Sequence, residues 1–250
     1  MSIINSNFVG EILIRMKNFF RNDKTYNNNL NGYTTKDGLL ALCLFGIFIF
    51  MYSMLAILDI KVELIKDNII IIGSIFNCLL VLITMLFIKL RKQGLDTIGL
   101  YKGKWKKSLY IGIILAGILF FNNCGSHLLQ GKELIDNRSI INYVIYYFFV
   151  SLCEEVSFRG YISTRIYGII KTQWIAIMVT GLLFVIMHFP YRMIAYGMSL
   201  KELTVNNMFW MIDLFVTHVV LNFIYTKTNS LYGAIIPHWI SNLASNIVNK

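Results

Sequence analysis

Seven mostly apolar runs of roughly 17 to 22 residues divide this chain, at 39–58, 69–88, 108–124, 140–161, 173–189, 207–225 and 231–248. About 20 such residues cross the hydrocarbon core of a bilayer as one helix, the element that satisfies its own backbone hydrogen bonds where no water is present. Composition agrees. The 250 residues are 56% hydrophobic and 14% charged, with a mean hydropathy of +0.62, whereas soluble domains carry about a quarter charged residues. The expected fold is all-α, a polytopic transmembrane helical bundle of about seven to eight spans. Ahead of it, 8–20 interleaves Phe8, Ile12, Leu13, Met16, Phe19 and Phe20 with Glu11, Arg15 and Lys17, an amphipathic pattern that predicts an N-terminal interfacial helix. The Asn- and Gly-rich stretch 26–35 reads as a linker. A soluble enzyme, a disordered chain and a disulfide scaffold are excluded; Cys43, Cys78, Cys124 and Cys153 sit in or beside apolar runs without paired spacing.

The net charge of +10 does not imply nucleic acid here, because Lys and Arg collect in the cytoplasmic loops of membrane proteins. Sixteen of them fall in the N-terminal segment, 89–107, 159–171 and Lys227, against seven on the alternate side. The expected topology is a multi-pass cell-membrane protein with a cytoplasmic N-terminus and an external C-terminus; a half-span around 191–200 would flip the C-terminal end. The first 38 residues are polar and lack a cleavage-site pattern, so no signal peptide is expected. The bias toward isoleucine over alanine resembles an AT-rich bacterial genome.

The informative residues are the ionisable groups inside the apolar runs, since a central charge costs about 2.5–3.5 kcal/mol on insertion scales. Glu154, Glu155 and Arg159 lie in the fourth run. Glu155 and Arg159, four apart, share a helix face and can pair, while Glu154 is turned about 100° away. One carboxylate is then neutralised and the other left free, as a general base requires; the bland alternative is a helix end emerging among headgroups. His188 follows Phe184 in the fifth run. Residues 154 and 188 are equidistant from the Lys171-Thr172 turn, so in a helical hairpin they stand at one height. His238 and Asn242, four apart in the last run, can both donate hydrogen bonds to an oxyanion. His218 and Asn222 repeat that spacing one span earlier, with Asp213 a turn further back, and either pair can simply bind helices together.

The ordered set E-E-x-x-x-R (Glu154, Glu155, Arg159), F-x-x-x-H (Phe184, His188) and H-x-x-x-N (His238, Asn242) resembles the CPBP intramembrane proteases, also called the CAAX protease and bacteriocin-processing (Abi) family. The phrase N-S-L-Y-G-A-I-I-P-H at 229–238 is similar to the family's approach to its last motif, which favours His238 and Asn242 over His218 and Asn222. The resemblance covers 142–249. It divides the chain into a cytoplasmic or interfacial segment (1–38), variable helices (39–138) and a catalytic core (139–250). It implies a membrane cavity in which Glu154 and His188 activate a water, His238 and Asn242 stabilise the oxyanion, and Glu155 and Arg159 brace the site. Two mechanisms stay open. A divalent metal such as zinc can be held by Glu154, His188 and His238 with water in the open position, or the glutamate acts without metal; no H-E-x-x-H pair occurs.

The implied partners are the lipid bilayer and a peptide or membrane-protein substrate, with no nucleic acid. The expected function is intramembrane endopeptidase, in peptide or bacteriocin maturation or self-immunity. A catalytically silent scaffold or immunity protein is the second reading, and a transporter built on the buried charges the third, though no inverted repeat supports it. Depth adds one expectation. His238 sits roughly 10 Å from the start of its run and Glu154 about 21 Å from its turn, so the hairpin must protrude at the basic side, with Arg165 and Lys171 exposed and the site opening to the cytoplasmic half.

Overall fold

The structure, a computed structural model, describes residues 21–100 and 104–249; the interfacial helix expected at 8–20 lies outside them. Among the described residues six helices are long and apolar enough to cross a membrane: α2 (Thr35–Lys61), α3 (Ile69–Leu90), α4 (Trp105–Leu129), α5 (Asn137–Ile170), α6 (Gln173–Ala195) and α7 (Met208–Thr228). A short α1 (Lys24–Gly32) precedes them and α8 (Tyr232–Ala244) follows. Among the described residues the only extended pairing is an isolated bridge between Leu134 and Val248. The chain is therefore an all-helical, multi-pass membrane protein.

The seventh expected span is α8, and it is short. Its 13 residues give about 20 Å of helix, less than the roughly 30 Å hydrocarbon core. It lies parallel to α4. At one end Ser108 Oγ donates to Ser230 O at 2.9 Å and accepts from Gly233 N–H at 2.8 Å; at the other, Asn123 Nδ2 donates to Ser241 Oγ at 3.1 Å. Gly112 and Gly233 allow this approach, since a Cβ on Gly112 would stand 2.8 Å from Gly233 Cα. The stretch 191–200 forms no further span, because α6 continues through a short helical turn, Phe189–Ala195.

Two expectations at the basic end change. The stretch read as a linker is helical, because the Asp23 carboxylate caps α1 by accepting from Thr25 N and Tyr26 N and Tyr26 and Leu30 are buried. Tyr26 packs edge-on against Tyr225 at 5.4 Å, and these anchors outweigh the weak helix propensity of the asparagines. Arg165 is not an exposed cation. It is fully buried, donating to Thr97 O and Gly160 O at 2.9 Å and to Gln93 Oε1 at 2.7 Å, with its guanidinium 4.5 Å from both the Tyr33 and Tyr161 rings. The α5–α6 hairpin does extend past α8, but it is wrapped: Lys171 Nζ donates to Tyr33 O at 2.8 Å, and a Cβ on Gly168 would collide with Thr34 O at 2.1 Å. Asp37, in a capping box with Thr34, pairs with Arg91 at 2.8 Å and ties α2 to the end of α3.

Candidate functional site

Within α5 the helix widens into π-helical turns over Glu155–Ser163, a geometry frequent at functional sites. Residues 153–166 are all buried. Thr84 Oγ1 and Ser157 Oγ, 2.7 Å apart, tie the widened segment to α3. Phe158 packs edge-on against Phe48 and Phe184 at 5.5 and 5.2 Å.

Three motif residues from three helices converge. Glu154 Oε1 is 3.9 Å from His188 Nε2 and Glu154 Oε2 is 3.5 Å from His238 Nε2. His188 stands where equal distance from the hairpin turn predicts. It is the most accessible of the three, with a side chain 21% exposed against 7% for Glu154 and 8% for His238. Each histidine is oriented through its other nitrogen. Phe184 O can only accept, so His188 Nδ1–H donates to it at 2.8 Å, leaving the Nε2 lone pair toward Glu154. His238 Nδ1 faces Glu155 Oε1 at 2.6 Å.

Glu155 is thus shared: it accepts from Arg159 Nη1 within its own helix and from His238 across the bundle. Fully buried charges require such pairing. The sequence reading found the Glu155–Arg159 pair and missed the His238 contact, for which the chain carries no local signal. Phe184 is the hub of the arrangement, 5.1 Å from the His188 ring, 6.5 Å from His238 and 5.2 Å from the Arg159 guanidinium. Asn242 lies one turn beyond His238 on α8, half-buried, and its side chain makes no hydrogen bond among the described residues.

The rival pair closes on itself. Asn222 Nδ2 donates to His218 Nε2 at 2.8 Å and to His218 O at 3.0 Å, both residues fully buried. His218 stands beside the site, tilted against the Phe184 ring at 5.4 Å.

The donors do not fit a metal as arranged. Among the described residues no three His, Cys, Asp or Glu side chains group to hold an ion; the two oxygens of Glu154 instead go one to each histidine. No step is routed through a metal below.

Residues 136–244 match the family model described as Type II CAAX prenyl endopeptidase Rce1-like. No curated protein and no solved structure matches the chain. The matched segment runs from the cap of α5 to the last residue of α8 and contains all three motifs. The match over 136–244 agrees with the resemblance to the CPBP/CAAX proteases that the three motifs carry.

Proposed function

We propose that the chain is an intramembrane endopeptidase in which Glu154 and His188 together activate the hydrolytic water. The family implies a protease; the observation that carries the mechanism is the 3.9 Å gap between Glu154 Oε1 and His188 Nε2. That gap is too long for a direct hydrogen bond and short enough for one water to bond both atoms. Both face it as acceptors, so the water donates its two protons to them and turns an oxygen lone pair to the scissile carbonyl. Glu154 takes a proton as the water attacks and returns it to the leaving amine.

The tetrahedral oxyanion is met by the Asn242 amide and by His238. Glu155 fixes the His238 ring through Nδ1, and stabilising the oxyanion from Nε2 requires that nitrogen to carry a proton. Arg159 balances Glu155. This assignment needs donors placed before charge develops, which a site braced by buried pairs provides.

The basic end, where 21–33, 91–99 and 165–171 meet, faces the cytoplasm in this reading. Peptide maturation or self-immunity in a bacterial membrane is the proposed setting. The test is reconstitution of the purified chain in vesicles with membrane-derived peptides in ¹⁸O-labelled water. Hydrolysis labels the new carboxyl end; the wild type should label it and Glu154→Gln and His188→Ala should not, whereas equal labelling by all three would reject the assignment.

A further inference from the structure

We propose that Arg192, its guanidinium over the Trp210 ring beside His188, is a seat for a carboxylate of the substrate peptide, two to three residues from the scissile bond. The inference rests on the protease reading and adds a specificity residue to it. Arg192 follows His188 by one turn, on the short helix Phe189–Ala195. Its guanidinium carbon stands 3.7 Å from the Trp210 ring centroid, and the same indole meets the His188 ring edge-on at 5.6 Å.

What distinguishes Arg192 is what it lacks. Arg91 and Arg159 are met by Asp37 and Glu155, and Arg165 by three oxygen acceptors on two residues, Thr97 and Gln93, outside its own helix. Among the described residues no carboxylate or other acceptor meets the Arg192 guanidinium. Asp59 accepts from Tyr191 Oη at 2.7 Å and holds this helix to α2. Stacking on the indole fixes the guanidinium plane and leaves its N–H edge free, the arrangement that binds a carboxylate through two parallel hydrogen bonds.

The Arg192 guanidinium lies no further from the His188 ring than the two contacts of 5.6 and 3.7 Å laid end to end. An extended peptide covers such a length in two to three residues, at about 3.3–3.6 Å each. The carboxylate can come from an Asp or Glu side chain or from the peptide's own C-terminus. An interfacial Arg–Trp pair bound to a lipid phosphate would also stack in this way, but it would have no reason to share its indole with His188.

The test uses the full chain in vesicles and peptides whose cleavage depends on Glu154. Each peptide is offered as the free acid, as the C-terminal amide, and with any Asp or Glu near the cut changed to Asn or Gln. The wild type should prefer the carboxylate form by about tenfold or more. The position at which neutralisation matters names the source, terminus or side chain. In Arg192→Gln the ratio of acid to neutral peptide should fall to about one, with Arg192→Lys between, because it keeps the charge and loses the fork. A ratio unchanged in a well-folded Arg192→Gln would overturn the proposal while leaving the protease reading intact. So would a rate that follows the phosphatidylglycerol content of the vesicles through Arg192 without regard to the peptide's charge. If no cleavage depends on Glu154, the protease reading fails first and this inference with it.

Discussion

His238 Nδ1 stands 2.6 Å from Glu155 Oε1 although 83 positions separate the two residues. The contact binds the last helix to the widened segment of α5 and turns the other ring nitrogen toward Glu154, 3.5 Å away. The two adjacent glutamates thereby take different work: Glu155 orients a histidine, and Glu154 faces the space between two.

Asn242 is the donor with no structural duty, since its side chain bonds nothing among the described residues. Asn242→Ala should lower kcat by about a hundred- to thousandfold, the cost of one oxyanion donor, while KM and thermal stability stay close to those of the wild type. Steady-state kinetics beside a melting curve separates this from a folding defect.

Arg165 should be the reverse case, structural and remote from the reaction. Arg165→Met leaves the amide oxygen of Gln93 without its donor, takes one of two side-chain donors from the carbonyls of Thr97 and Gly160, and removes the layer between Tyr33 and Tyr161. We expect a loss of about 3 kcal/mol or more. Arg165→Lys should recover part of it. Unfolding of the purified protein in detergent measures both.

Asp23 gives the basic end a pH dependence. Burial alone would raise its carboxyl, but the hydrogen bonds from Lys104 Nζ and the Tyr26 and Thr25 N–H groups, with the Lys104 charge, hold it below the usual carboxylate value. A lowered folded value stabilises fully above the unfolded value of about 3.9 and is lost as pH falls through the folded one. The wild type should therefore melt higher than Asp23→Asn at pH 7, and the difference should shrink as the solution is acidified below that range.

Chelation tests the metal question. If Glu154 and His188 activate the water as proposed, treatment with 1,10-phenanthroline should leave peptide cleavage unchanged. Loss of activity restored by zinc would replace the glutamate mechanism with a metal one.

Much of the frame was legible because a membrane makes periodicity and charge costly to violate. The six spans, the i, i+4 pair of Glu155 and Arg159, and the equal heights of Glu154 and His188 all follow from local rules. Contacts between distant segments do not. Nothing near Arg165 announces that two tyrosines 128 positions apart (Tyr33 and Tyr161) will enclose it, so it counted as one more surface cation. The α1 stretch looked like linker because its helix depends on packing against Tyr225. His218 and Asn222 share the spacing of His238 and Asn242, so spacing alone does not separate them; the stretch 229–238 favoured the second pair, and the structure has the first bonding itself while His238 reaches Glu155.

The central claim is hydrolysis that depends on Glu154. Membranes expressing the wild type and Glu154→Gln at equal abundance, compared by mass spectrometry of new peptide ends, test it most directly. The account predicts a set of ends present with wild type and absent with both Glu154→Gln and His188→Ala. Identical sets from all three folded proteins would contradict it and favour a silent scaffold or immunity protein.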